Sequence, residues 1–121
     1  MSALMFGDEA HMTSYFLTRK DKGAVVERSK AYKYQSLAAG FANRKSDPYI
    51  VTVEPNETQQ MHLNSHIGQE FNLLLEGRMQ IQIEDKTLVL ETGDSIYFDS
   101  SRLHGMKALD ESPVKFLAII L

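Results

Sequence analysis

Apolar and polar side chains alternate strictly from Arg78 to Glu84 (RMQIQIE), which is the plainest signal in the chain. Met79, Ile81 and Ile83 fall on one face and Gln80, Gln82 and Glu84 on the other, the period of a half-buried antiparallel strand. Asp85-Lys86 interrupts the run and TLVLE resumes it, so 78–91 reads as a β-hairpin. Thr92-Gly93-Asp94 marks the next turn, followed by the short run SIYF. The β-branched segment YIVTVE (49–54) ends at the turn signal Pro55-Asn56. VKFLAIIL (114–121) places Val114, Phe116, Ala118 and Ile120 on one face and closes the chain as a strand. AYKYQSLA (31–38) alternates small or aromatic residues with polar ones and suits an edge strand.

Only the N-terminal stretch carries a helical signal. Asp8 is a cap for a helix with Met12, Tyr15 and Phe16 on one face, Arg19 and Lys20 in the last turn and Gly23 beyond. A strand through TSYFLT is the alternative. Elsewhere, short strands at roughly ten-residue spacing predict an all-β sandwich or barrel.

Length and composition narrow the function. A chain of 121 residues with 43% hydrophobic content makes one domain. Thirteen Lys and Arg against sixteen Asp and Glu give a net charge of −3, which argues against nucleic acid as a main partner, since phosphate binding needs a basic face. The start, MSALMFGDEA, has no basic region and reaches Asp8 and Glu9 before an apolar run can grow. It reads as neither a secretory signal nor a membrane segment, and the expectation is a soluble, cytoplasmic protein. The absence of cysteine rules out disulfides, thiolate metal sites and cysteine nucleophiles, so any metal would have to be held by imidazole and carboxylate. No phosphate-cradling glycine loop and no nucleophile elbow is present.

The histidines supply that chemistry. His11 lies in the N-terminal segment and reads as a surface residue, whereas His62, His66 and His104 sit in HLNSHIGQEFNLLLEG (62–77) and GDSIYFDSSRLHG (93–105). Positions 62, 64 and 66 of a strand point to one side. Ile67-Gly68-Gln69 can then turn, and Glu70 can start the next strand facing the same interior. With His104 brought in from the second stretch, two imidazoles and one carboxylate have the makings of a facial triad for Fe, Mn, Ni or Zn, with coordination positions left open. A histidine near a loop is more often a surface residue, so spacing alone leaves both readings open.

The same residues resemble the cupin family. Its first motif is G(x)5HxH(x)3-4E(x)6G, and His66, Glu70 and Gly77 match the latter part. Its second motif is G(x)5PxG(x)2H(x)3N, of which Gly93 and His104 match the first glycine and the histidine, fifteen residues after the first motif. The resemblance covers about residues 48–121 well and 23–47 more loosely. It implies a double-stranded β-helix, or jelly-roll barrel, over 23–121, with 1–22 as an N-terminal extension. It further implies His66, Glu70 and His104 as metal ligands and a homodimer with exchanged N-terminal strands. Departures fall at Asn64, where the family has the first histidine, and at Asp99, Ser101 and Ala108 in the second motif. An amide is a weaker ligand than imidazole, so Asn64 is expected as a weak ligand or a donor behind the ligands. His62, about 13 Å from His66 along an extended strand, is expected at the rim. The 62–77 wording is also similar to the sensor half of helix-turn-helix/cupin regulators and to the cupin of a mononuclear iron phosphonate epoxidase. The earlier stretch RKDKGAVVERSKAYKYQSLAAGF (19–41) also resembles the segment that leads into the barrel of those regulators, and with about 22 residues ahead of the barrel no DNA-binding head is expected.

Strand alternation puts Asn72 on the side of Glu70, where it can fix a polar group of a ligand or pair with backbone. Met106 and Phe98 are expected to line the same cavity. Two functions follow from the resemblance. One is a barrel binding a small, oxygen-rich or carboxylated molecule at a divalent transition metal in a sensing or regulatory role. The other is a metal-dependent oxygenase, isomerase or lyase.

Overall fold

A computed structural model describes residues 14–27, 32–55 and 61–121. The described residues form nine strands: β1 (Ala24–Glu27), β2 (Tyr32–Ser36), β3 (Asp47–Val53), β4 (Gln69–Glu76), β5 (Met79–Ile83), β6 (Lys86–Leu90), β7 (Ser95–Asp99), β8 (His104–Ala108) and β9 (Val114–Ile120). No helix occurs among the described residues. One sheet runs β1-β2-β3-β9-β4-β7 and a smaller one β6-β5-β8. Every pairing within them is antiparallel. The fold is an all-β jelly roll.

The core lies between the two sheets and follows the alternation of the sequence. Tyr49, Val51 and Val53 of β3, Val114, Phe116 and Ala118 of β9, Leu74 of β4 and Phe98 of β7 come from the large sheet. Met79 and Ile81 of β5, Leu90 of β6 and Met106 of β8 come from the small one. Removing such side chains from water contributes about 1.5–3 kcal/mol each, which holds the sheets face to face. The 78–91 hairpin forms as expected, with Glu84 taking up the turn at a φ of 54°.

Two expectations are corrected. AYKYQSLA does not lie at an edge: β2 has β1 on one side and β3 on the other, and β1, built on the β-branched Val25-Val26, takes the edge instead. The N-terminal helix is absent from residues 14–20, the part of it that is described. Tyr15 and Leu17 are exposed while Phe16 and Thr18 are half-buried, a period of two rather than 3.6. Long-range contacts decide it. The Thr18 hydroxyl donates to the Leu37 carbonyl at 2.7 Å, and the Phe16 ring lies against Gly40. The Asp8 cap and Met12, like His11, fall outside the described residues.

Tyr32 ties the two sheets together. Its hydroxyl donates to the Met106 carbonyl (2.8 Å) and accepts from the Met106 N–H (3.0 Å), across 74 positions of sequence. In an antiparallel strand a residue's N–H and C=O point the same way, so one hydroxyl serves both groups at the edge of β8. Tyr32→Phe is expected to cost about 1–3 kcal/mol, because two buried backbone groups lose this partner. Chemical denaturation of the two proteins checks it. Burial, and to a lesser degree the nearby Glu70 carboxylate, pushes the Tyr32 hydroxyl above its ordinary pKa, against the Met106 hydrogen bond that lowers it. The folded state therefore holds this proton more tightly than the unfolded chain. Its contribution to stability is full below about pH 10 and is lost as pH rises through the raised value. Stability should fall more steeply in alkali for the native protein than for Tyr32→Phe.

Candidate metal centre

Three side chains converge at one end of the barrel. Glu70 is the second residue of β4 and points inward, as do Asn72 and Leu74, in keeping with strand alternation. His104 opens β8, and His66 lies in the irregular segment before β4. The expected strand over 62–66 does not form. That segment instead pairs with the second histidine motif: Asn64 and His104 exchange both backbone hydrogen bonds, each 2.8 Å, and the His66 N–H donates to the Ser100 carbonyl, also 2.8 Å. Gly68 makes the intervening turn at a φ of 114°. A Cβ there would fall 2.3 Å from the Leu121 carbonyl oxygen, so both the turn and the close approach require glycine.

Glu70 Oε1 lies 3.1 Å from His66 Nε2 and 3.7 Å from His104 Nε2, and the three side chains offer one ligand atom each within 4.8 Å of one another. With ligand bonds of about 2.1 Å, neighbouring ligands on one ion stand about 3.0 Å apart at a right angle and about 3.4 Å apart in a tetrahedron. Among the described residues this is the one group of His, Cys, Asp or Glu arranged to hold a metal. Tautomer chemistry fits as well. His104 Nδ1 lies 2.7 Å from the Arg102 carbonyl, which can only accept, so Nδ1 carries a proton and Nε2 is the ring nitrogen left to face Glu70 and to serve as a metal ligand. Glu70 is 5% exposed, and its ion-pair partners are the two imidazoles. A buried carboxylate without a fixed cation is costly, and a divalent ion held by these three side chains would supply the missing charge. The His66 side chain is 32% exposed against 6% for the other two, so the centre opens to solvent on that side.

The other residues singled out in the sequence take varied places. Phe98 packs its ring edge-on to His104 at 4.9 Å between centroids. Met106 is buried in the core, two residues along β8 from His104. Asn64 is exposed, and its paired position opposite His104 puts the two side chains on one side of the ladder, with Cα atoms about 5.5 Å apart. His62 is exposed and stands outside the cluster, although its carbonyl comes within 2.7 Å of where a Gly105 Cβ would be. Asn72 is fully buried. Its Nδ2 donates to Glu70 Oε2 at 2.8 Å and to the Phe71 carbonyl at 3.1 Å, while Oδ1 has no partner. The buried Ser100 hydroxyl is likewise unpartnered. Sequence reading missed Tyr32, Ser100 and Gly105 as parts of this end of the barrel. The His-Gly dipeptide at 104–105 was the one available hint, since glycine beside a ligand often marks a close backbone approach.

Comparison with known proteins bears on the fold and the family. The cupin domain family matches residues 49–120. No curated protein matches significantly. Among solved structures, Fe(II)-HppE with the alternative substrate (S)-1-HPP matches with a TM-score of 0.78 at 22% identity, covering 89% of this chain and 60% of that one. Hydroxypropylphosphonic acid epoxidase from S. wedmorenis matches at 0.76 and 24% identity, covering 88% and 59%. An HTH_3 family transcriptional regulator from Vibrio cholerae matches at 0.62 and 22% identity, covering 74% and 50%. This chain thus spans 50–60% of the length of these structures, and at such identities the likeness is one of fold. The family match covers more than half of the chain and takes in His66, Glu70 and His104, so this chain belongs to the cupin family.

Proposed function

We propose that residues 23–121 form a metal-binding sensor barrel in which His66, Glu70 and His104 hold one divalent transition metal and a small oxygen-rich or carboxylated molecule binds at the ion. The observation that carries this reading is the convergence of His66, Glu70 and His104, one ligand atom from each within 4.8 Å of the others. Two imidazoles and a carboxylate suit Fe(II), Mn, Ni or Zn and leave positions open, and the ion would supply Lewis-acid attraction for an anionic ligand oxygen. The chain's own residues orient the set. The Arg102 carbonyl fixes the His104 tautomer, Phe98 packs against that ring, and the exposed side of His66 gives the ligand its approach. Asn64, beside His104, is a weak ligand or a donor to the bound molecule.

A sensing role is preferred to catalysis because the Tyr32 hydroxyl near Glu70 is already committed to two structural hydrogen bonds with Met106. The alternative, a mononuclear metal enzyme, draws on the fold shared with Fe(II)-HppE. Association as a homodimer fits the outer face of the large sheet, where Tyr97, 56% exposed, stands opposite Phe71, which pairs in turn with Ile119.

Elemental analysis of protein purified without added metal or chelator tests the reading, with His66→Ala as control. About one equivalent of Fe, Mn, Ni or Zn, lost in the control, is the expected result. Iron would favour the enzyme reading. No metal even after reconstitution would overturn the proposed centre.

A further inference from the structure

Glu70 has two oxygens, and the structure treats them differently. Oε1 faces both imidazoles, whereas Oε2 accepts a 2.8 Å hydrogen bond from Asn72 Nδ2. That amide is held in turn. Asn72 shares the inward face of β4 with Glu70, is 0% exposed, and spends its second Nδ2 proton on the Phe71 carbonyl at 3.1 Å. Its Oδ1 is left buried without a partner. The orphaned oxygen is informative, because rotating the amide by half a turn would aim Oδ1 at the Glu70 carboxylate and lose both bonds from Nδ2. The side chain is fixed in the orientation that occupies Oε2, and an acceptor goes unsatisfied as a result.

We infer that Asn72 is a positioning residue that holds Glu70 to a single oxygen at the metal and so keeps one coordination position free for an incoming ligand. The inference rests on the metal-centre reading above. A carboxylate with both oxygens available can close onto one ion as a chelate, and the second oxygen then takes a position that an exogenous molecule would use. With Oε2 tied to a rigid amide in the strand, Glu70 contributes Oε1 alone. Asn72 touches neither the ion nor the ligand, and its effect passes entirely through Glu70.

The test uses the full chain loaded with Co(II), whose visible absorption reports coordination number and geometry, and azide as the incoming anion. Asn72→Leu removes the amide while keeping its bulk. The variant is expected to take up one equivalent of Co(II), to show an altered visible spectrum, and to bind azide at least about tenfold more weakly than the native protein, the lower end of the range for loss of a residue behind a metal ligand. A merely structural role for Asn72 would move thermal stability and leave the spectrum and the azide titration alone. Asn72→Thr, smaller and suited to a strand, is read in the same way if the leucine variant does not fold. An unchanged spectrum and azide affinity in a folded variant would overturn the inference while leaving the metal centre standing. Failure of the native protein itself to take up Co(II) would overturn the centre and this inference together.

Discussion

Glu70→Ala is expected to lower metal affinity by more than about 100-fold, beyond the 10–100-fold typical of residues that only support a ligand, while the barrel stays folded. Glu70 Oε1 is the one atom common to both short separations in the cluster, 3.1 Å to His66 and 3.7 Å to His104, so its removal leaves two imidazoles and no charge. The fold should tolerate the change because the carboxylate lies at the end of the barrel and the core residues of β3, β5 and β9 do not depend on it. Stability in the presence of metal separates the two effects. With free metal at about 100 times its dissociation constant, the native protein gains about 2.7 kcal/mol by mass action. For a domain of this size that is a rise in melting temperature on the order of 10 °C. The variant should show no such rise and should melt close to the metal-free native protein. Metal-dependent stabilisation that survives in Glu70→Ala would place the ion elsewhere.

The largest expected loss of stability belongs to Gly105→Val. A single Cβ at this buried position would stand 2.7 Å from the His62 carbonyl oxygen, 3.0 Å from Met61 Cγ and 3.1 Å from Leu63 Cδ2. The first neighbour is backbone and cannot step aside by changing rotamer, and valine adds two further methyl groups. The 61–64 segment must lift off β8, and the pair of 2.8 Å bonds between Asn64 and His104 goes with it. Overpacking of this kind costs about 1–3 kcal/mol, and loss of the bridge places valine at the upper end of that range. Urea unfolding should show a lower midpoint with an unchanged slope. Because His66 is two residues beyond Asn64, metal affinity should fall as well. Retention of both native stability and native metal affinity would show that the crossing at Gly105 does not position the centre.

What could be read from the sequence is what local pattern encodes. RMQIQIE announced β5 because each side chain's face is set by its immediate neighbours, and the same holds for Val114, Phe116 and Ala118 in β9. Segments whose conformation depends on distant partners were not legible. Tyr15-Phe16 carries a spacing that suits a helix, yet the Phe16 ring meets Gly40 and the chain runs extended. The relation of Tyr32 to Met106 spans 74 residues and leaves no mark in either local sequence. The candidate centre was legible in its three main residues because the spacing from His66 to Glu70 crosses one tight turn, and the motif around His104 repeats the pattern of the family. The orientation of Asn72 was not, since a strand period tells which face a side chain takes and nothing about how an amide turns on that face.

The order β1-β2-β3-β9-β4-β7 has a consequence for how the chain comes into being. Residues 114–120 form the strand between β3 and β4, joining residues 47–53 on one side to residues 70–76 on the other. On the ribosome, everything up to β8 is made before that strand exists, and β3 and β4 wait with bare hydrogen-bonding edges facing each other. The large sheet cannot close progressively; it closes when β9 arrives and zips both neighbours at once. Such long-range pairing makes for slow folding and for a nascent chain exposed to edge-to-edge association. It also makes integrity all-or-none, because a chain cut short before residue 114 would lose the middle of its principal sheet rather than a strand from its border.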